Sequence, residues 1–149
     1  MATALELLRD RLTEDSLEIA YDNIDGVNTL RVILDGIGAD EDGLVVLEIS
    51  EIPIEEEDKY GYFHFMSVLA NKLDDDQIPA TLVNLNEINS ETLLGSYQIV
   101  SEAGTIVHKY ILRTPLKDAE GTQEDLYNCL VDVVAIINED YDRVLLSIE

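Results

Sequence analysis

The sequence predicts an α+β domain, an antiparallel sheet with helices packed on it, in the order α-β-β-β-α-β-β-α, as one unit over residues 1–149. Three observations predict it. Several segments alternate apolar and polar residues with the period of two that puts one face of a strand on a core. Both ends of the chain instead carry apolar residues at spacings of three and four, the period of an amphipathic helix. The chain has 149 residues, 46% of them hydrophobic, enough to bury roughly 68–70% of the surface its unfolded form exposes.

Residues 3–14 form the first predicted helix, with Leu5, Leu8 and Leu12 on one face and Thr3 and Glu6 spaced as a capping box. In LEIAYD, Leu17, Ile19 and Tyr21 alternate with Glu18, Ala20 and Asp22, which is a strand pattern. DNIDG supplies turn residues ending at Gly26. NTLRVILDG and GLVVLEISEI are the next two strands, separated by the hairpin loop GIGADEDG, so the three strands read as a meander.

Pro53 closes the third strand, and Glu55 to Asp58 form an acidic approach to a helix placed near residues 58–74. The acid run Asp74–Asp76 would oppose the dipole at a helix C-terminus, and Pro79 discourages continuation, so the helix is expected to stop there. ATLVNLNEINSETLLG offers a short strand over LVNL and a turn of helix over SETLL. SYQIVSEAGTIVHKYIL reads as a hairpin turning at Ala103-Gly104, with Ile106, His108, Tyr110 and Leu112 on one face. The last helix begins at Thr122, and Leu126, Leu130, Val133, Ile137, Tyr141 and Val144 mark its buried stripe.

Charge narrows the function. Thirty-two acidic against nine basic residues give a net charge of −23. Nucleic acid and anionic membranes require clustered cations, so neither is an expected partner; basic proteins or peptides are favoured. A single cysteine, Cys129, excludes an intrachain disulfide. The N-terminal segment lacks the pattern of a secretory signal, and no apolar run approaches a membrane span, so a cytoplasmic location is expected.

No catalytic, cofactor-binding or metal-binding residues emerge. Cys129 sits in the apolar stripe of the last helix, where a thiol packs as a small inert hydrophobe. His64 and His108 are the only histidines and show no ligand spacing. In the loop Gly38 to Gly43, Gly38 stands where a calcium loop needs its first acidic ligand and Ile49 where it needs the bidentate Glu. Gly36 and Gly38 make an isolated G-x-G followed by acids, which would repel phosphates. Carboxylates are too numerous for any pair to be singled out, so a small-ligand sensor or enzyme built on a carboxylate cluster is the alternative reading.

The segment from Tyr60 to Leu73 points instead to protein binding. Tyr62, Phe65, Met66, Leu69 and Leu73 make one helical stripe, yet Tyr60, Phe63, Val68 and Ala70 fall outside it. A helix apolar on more than one side is covered on more than one side, here by a neighbouring element or by another subunit. Tyr60, Tyr62, Phe63, Phe65, Met66, Leu69 and Leu73 are therefore the candidate protein-binding residues, with a homodimer or an unidentified protein as partner.

This order of elements resembles the type III secretion chaperone-like fold. The second half is similar to the YbjN-like family of sensory-transduction regulators. The resemblance rests on Leu82-Val83-Asn84-Leu85-Asn86, Gly95-Ser96-Tyr97-Gln98-Ile99, Gly104-Thr105-Ile106-Val107 and Leu112-Arg113-Thr114-Pro115-Leu116, within residues 82–145. It implies a small acidic dimer that holds an extended segment of a client protein, and it supplies no catalytic residues. The segment Ile88 to Leu94 does not map onto the family pattern, which leaves the register of residues 82–95 open.

Overall fold

The computed structural model describes residues 2–55, 57–100 and 102–148. Glu56, within the acidic approach from Glu55 to Asp58, lies outside the described residues. The elements are α1 (Ala4–Glu14), β1 (Glu18–Ile24), β2 (Val27–Ile37), β3 (Gly43–Ile52), β4 (Tyr60–Ala70), α2 (Ile78–Glu91), β5 (Ser96–Val100), β6 (Thr105–Pro115) and α3 (Ala119–Leu146). Six strands form one sheet in the order β1-β2-β3-β4-β6-β5, every pairing antiparallel. The expected class, an antiparallel sheet with helices packed on it, is what the chain adopts.

Local chemistry explains most element ends. The Thr3 hydroxyl accepts from the Glu6 amide at 3.2 Å while the Glu6 carboxylate accepts from the Thr3 amide at 3.1 Å. This reciprocal pair satisfies two donors that the first turn of α1 leaves unpaired. β1 and β2 are joined by Asp25 and Gly26 alone, both at positive φ (53° and 83°). That is the two-residue hairpin whose twist matches paired strands. α3 starts three residues earlier than the apolar stripe suggests, because Asp118 caps it by accepting from the Gly121 amide at 2.8 Å. All six expected stripe residues of α3 are buried.

The expected helix near residues 58–74 is instead the central strand β4, flanked by β3 and β6. A strand buried in mid-sheet can be apolar on both faces, and that produces an apolar surplus indistinguishable from a helix wrapped in hydrophobes. Gly61 costs a helix interior about 1 kcal/mol relative to Ala. Its neighbours Tyr60, Tyr62, Phe63, Phe65 and Val68 are residues that pack well on a pleated surface. The order of elements thus gains a strand, and the second helix falls at Ile78–Glu91, where a short strand and a helical turn were expected. Pro79 sits in the first turn of that helix, where its missing N–H costs nothing and its fixed φ suits the helix. The acids Asp74–Asp76 lie ahead of the same N-terminus, on the side the helix dipole favours.

The helices bury one face of the sheet. Leu5, Leu8 and Leu12 of α1 and the α3 stripe meet Leu30, Val32, Leu47, Ile49, Phe63, Phe65 and Ile106 in one core. Arg11 lies 3.4 Å from the Tyr127 ring and pairs with Glu124 at 3.0 Å, tying α1 to α3. The α3 side chains also hold the β2–β3 loop: Asn138 Oδ1 accepts from the Gly38 amide at 2.8 Å and Asp142 from the Ala39 amide at 2.9 Å. The segment tested above as a calcium loop is therefore tied by its own backbone to α3.

Candidate functional site

Strand alternation divides the expected binding residues between two environments. Phe63, Phe65 and Leu69 point from β4 into the core, and Leu73, just beyond the strand, is buried with them. Tyr60, Tyr62 and Met66 point the other way, with His64 and Val68, onto the face opposite the helices. The apolar surplus read in this segment is real, but only its alternate half is available at the surface.

Cross-strand pairing defines that open face row by row, since residues directly opposite in an antiparallel ladder share a side. Ile33, Val46, Val68 and Val107 make one unbroken apolar row over β2, β3, β4 and β6. The next row runs Arg31, Glu48, Met66, Lys109 and Ser96. Beyond it come Thr29, Ser50, His64 and Ile111, and then Ile52, Tyr62 and Arg113. Val107 is only 2% exposed yet is absent from the helix-facing core, so its burial comes from its neighbours on this face. Ile24, Leu44, Ile52, Tyr62, Val100 and Ile111 are six of the thirteen exposed large apolar side chains among the described residues, and strand parity puts all six here. Ile111 is 54% exposed.

Charge on this face is divided. β4, β5 and β6 contain no Asp or Glu, whereas β1, β2 and β3 contain Glu18, Asp22, Asp35, Glu48 and Glu51. The cations follow the opposite trend. Lys109 and Arg113 lie on β6 with no carboxylate within ion-pair distance among the described residues, Arg113 stacking 3.7 Å over the Tyr60 ring. Arg31 on β2 is neutralised by Glu48, contacting only Oε1 at 2.8 and 3.1 Å. His64 is held below its ordinary pKa by burial and by the charge of Lys109.

A second group of polar residues lies inside the molecule. Ser67 and His108 stand opposite each other on β4 and β6, both fully buried. His108 Nε2 is 2.8 Å from the Leu94 carbonyl, which makes it the protonated nitrogen and leaves Nδ1 as an acceptor. Neither Nδ1 nor the Ser67 hydroxyl has a partner among the described residues. Burial, opposed by the Leu94 hydrogen bond and Asp140, keeps His108 below its ordinary pKa. Tyr97 packs edge-on against the His108 ring at 5.0 Å and donates to Asp140 at 2.8 Å, an acceptor it shares with Thr92. A substrate cannot reach groups enclosed in this way, so the cluster is a polar joint between β4, β5, β6 and α3. Cys129 is likewise buried, its thiol pushed up to about 12 by burial and then by Asp132, far from the thiolate a nucleophile needs.

On the helical side an apolar groove of about 390 Å³ is lined by Leu12, Leu17, Leu34, Ile37, Tyr127 and Leu130, among others. No group of three or more His, Cys, Asp or Glu placed to hold a metal occurs among the described residues. No helix among them is long and apolar enough to cross a membrane.

The two edges of the sheet are treated differently. At β5, the Asn89 side chain of α2 accepts from the Tyr97 amide at 2.7 Å and donates to the Tyr97 carbonyl at 3.0 Å. One amide thus takes the place of a neighbouring strand. At β1 the face-side residues are Glu18, Ala20, Asp22 and Ile24, and the like charges of Glu18 and Asp22 discourage pairing with another copy.

Sequence reasoning found Tyr60, Tyr62 and Met66 but missed Val46, Val107, Lys109, Ile111 and Arg113. The signal for the β6 members was present: placing Ile106, His108, Tyr110 and Leu112 on one face leaves Val107, Lys109, Ile111 and Arg113 on the other. No family model matches the sequence, and no curated protein matches it.

Proposed function

We propose that this chain is a non-enzymatic protein-binding module, of the adaptor or chaperone-like kind, whose working surface is the open face of the sheet. One observation carries the reading: six of the thirteen exposed large apolar side chains among the described residues lie on the one sheet face that carries no helix. Exposed apolar side chains gathered on one face, here on either side of the Arg31, Glu48 and Lys109 row, mark a docking surface. Tyr, Met and Arg, all present here, are the side chains that interfaces enrich. The closed β5 edge and the acidic β1 edge direct association to the face and away from strand addition. The single helix layer over an antiparallel sheet is compatible with the chaperone-like resemblance, with β4 as an added strand.

A photo-crosslinking residue at position 111 tests this in cells making the protein, with the same residue at position 83 as control. Val83 is exposed on α2, away from the sheet face. Polypeptide adducts at 111 in excess of those at 83 are expected. Equal or absent labelling at 111 defeats the proposal.

A further inference from the structure

We infer that the open face takes an α-helix of another protein, apolar along one stripe and acidic along one flank, laid over β4 and β6 with its carboxylates against Lys109 and Arg113. This rests on the docking reading above and names the chemistry of the partner.

Backbone satisfaction selects a helix. A segment that covers the face leaves water, and each of its buried N–H and C=O groups then needs a partner. An extended segment finds those partners by joining a sheet edge. Here the Asn89 amide occupies the β5 edge, and Glu18 and Asp22 stand on β1. A helix pairs its own backbone and brings only side chains to the face. The lengths agree. The row of Tyr62 and Arg113 and the row of Val68 and Val107 are six residues apart along the strands, which is about 20 Å. A helix of about fourteen residues is about 21 Å long.

Charge selects an acidic flank. Net charge alone favours a basic partner, because 32 acidic residues stand against 9 basic ones. The face inverts that balance locally. Five of the nine cations pair with a carboxylate among the described residues, and Lys109 and Arg113 are not among the five. Both stand on the open side of β6 with the exposed Ile111 between them, and β4, β5 and β6 contain no Asp or Glu. The two cations are four residues apart, about 13 Å along the strand. Acids two turns apart on a helix, about 11 Å, fall within reach of both long side chains.

The other flank differs. Glu48 stands on β3 opposite Met66, so a carboxylate on the β3 side of the helix would meet a like charge. The acids therefore belong on the β6 side only, and the apolar stripe between covers Met66, Val68, Val107 and Ile111. A second copy of this sheet does not supply the carboxylates, since reversing its strand order about β3 and β4 sets Arg31 over Lys109. At about 0.15 M ionic strength the screening length is about 8 Å. Cations in contact with the helix then outweigh the acids that lie farther away.

The experiment pans displayed helices of about fourteen residues on the full chain at about 0.15 M salt. Their leucine stripe is fixed, and their flank positions vary among Glu, Gln and Lys. Helices that also bind Ile111→Glu are discarded, which removes those held by the acidic surface elsewhere. Glu is expected to be enriched on one flank. The selected helix is expected to bind at micromolar concentration and to lose at least tenfold in affinity for Lys109→Gln with Arg113→Gln. Arg9→Gln with Arg143→Gln removes the same charge from α1 and α3 and is expected to change the affinity less than twofold. Circular dichroism confirms that each variant is folded. Enrichment of Lys or Gln on the flank, no selected helix at all, or an affinity that both double variants lower equally overturns the inference. Crosslinking at position 111 in cells separates that failure from failure of the docking reading. Adducts at 111 without Glu enrichment leave a docking face whose partner has other chemistry, a second copy if the adduct is with the chain itself. No adducts at 111 removes both.

Discussion

Asn89 closes the β5 edge with one side chain, and its removal is a direct test of how the sheet ends. The amide accepts from the Tyr97 N–H at 2.7 Å and donates to the Tyr97 carbonyl at 3.0 Å. Each such bond contributes about 0.5–1.5 kcal/mol net. Asn89→Ala therefore removes about 1–3 kcal/mol from the fold. Against this, Ala exceeds Asn in helix propensity by about 0.7 kcal/mol, so a net loss of about 0.3–2.3 kcal/mol is expected. Since 1 kcal/mol shifts the melting point of a domain of this size by roughly 2–4 °C, the melt should fall by about 0.6–9 °C. Asn86→Ala is the control: Asn86 is exposed on the same helix and makes no side-chain hydrogen bond among the described residues. It should be neutral or slightly stabilising. Thermal melts and native-state hydrogen exchange at the Tyr97 amide measure both consequences. If Asn89→Ala melts like Asn86→Ala, with Tyr97 equally protected, the edge-closing role is refuted.

Three further outcomes follow from the interior. His108 is neutral and held below its ordinary pKa of 6.5 chiefly by burial. The unfolded chain therefore takes up the proton first, and stability falls as pH drops below about 6.5 towards the folded-state pKa; His108→Gln should flatten the urea midpoint between pH 7 and 5 relative to wild type. At Gly95, φ is +72° and an added Cβ would sit 2.3 Å from the Lys109 carbonyl and 2.7 Å from the His108 ring. Gly95→Ala should cost more than about 3 kcal/mol, since backbone cannot yield as a flexible side chain would; an unchanged melt would contradict this packing. Cys129, its thiol pushed up to about 12, should resist a thiol reagent at pH 8 in the native protein and react only in step with unfolding by urea.

What the sequence made legible were elements with a one-sided pattern. α1, β1 and the α3 stripe each have one apolar and one polar face, so period alone identifies them, while β2, β3, β5 and β6 were marked by β-rich runs bounded by the turn residues near Gly26, Gly38 and Gly104. β4 has no such asymmetry. Phe63 and Phe65 serve the core while Tyr62, Met66 and Val68 serve the open face, and a helical template fits the same residues. Its identity is decided by pairing with β3 and with β6, which lies about forty residues further along the chain, and no local window contains that information. α2 was obscured for another reason. Pro79 and the acids before it are signals of a helix start as much as of a stop, and their meaning depends on which side the helix lies. The candidate site inherits both difficulties, because Lys109, Ile111 and Arg113 join Tyr62 and Met66 only once β6 is placed beside β4.

The distribution of charge shows why such a face can exist on a protein so acidic. Thirty-two carboxylates must avoid the core, and every loop and exposed helix surface is open to them. Their exclusion from all of β4, β5 and β6 is therefore not a demand of burial, since Ile111 and Tyr62 on that half are exposed. A solvated sheet face tolerates Glu or Asp at such positions, as β1 does with Glu18 and Asp22. An acid-free half whose Lys109 and Arg113 have no ion-pair partner among the described residues is the composition expected where a surface spends its time against another surface. There a carboxylate set opposite another would cost far more than it does in water, because burial of like charges removes the screening that makes −23 tolerable elsewhere.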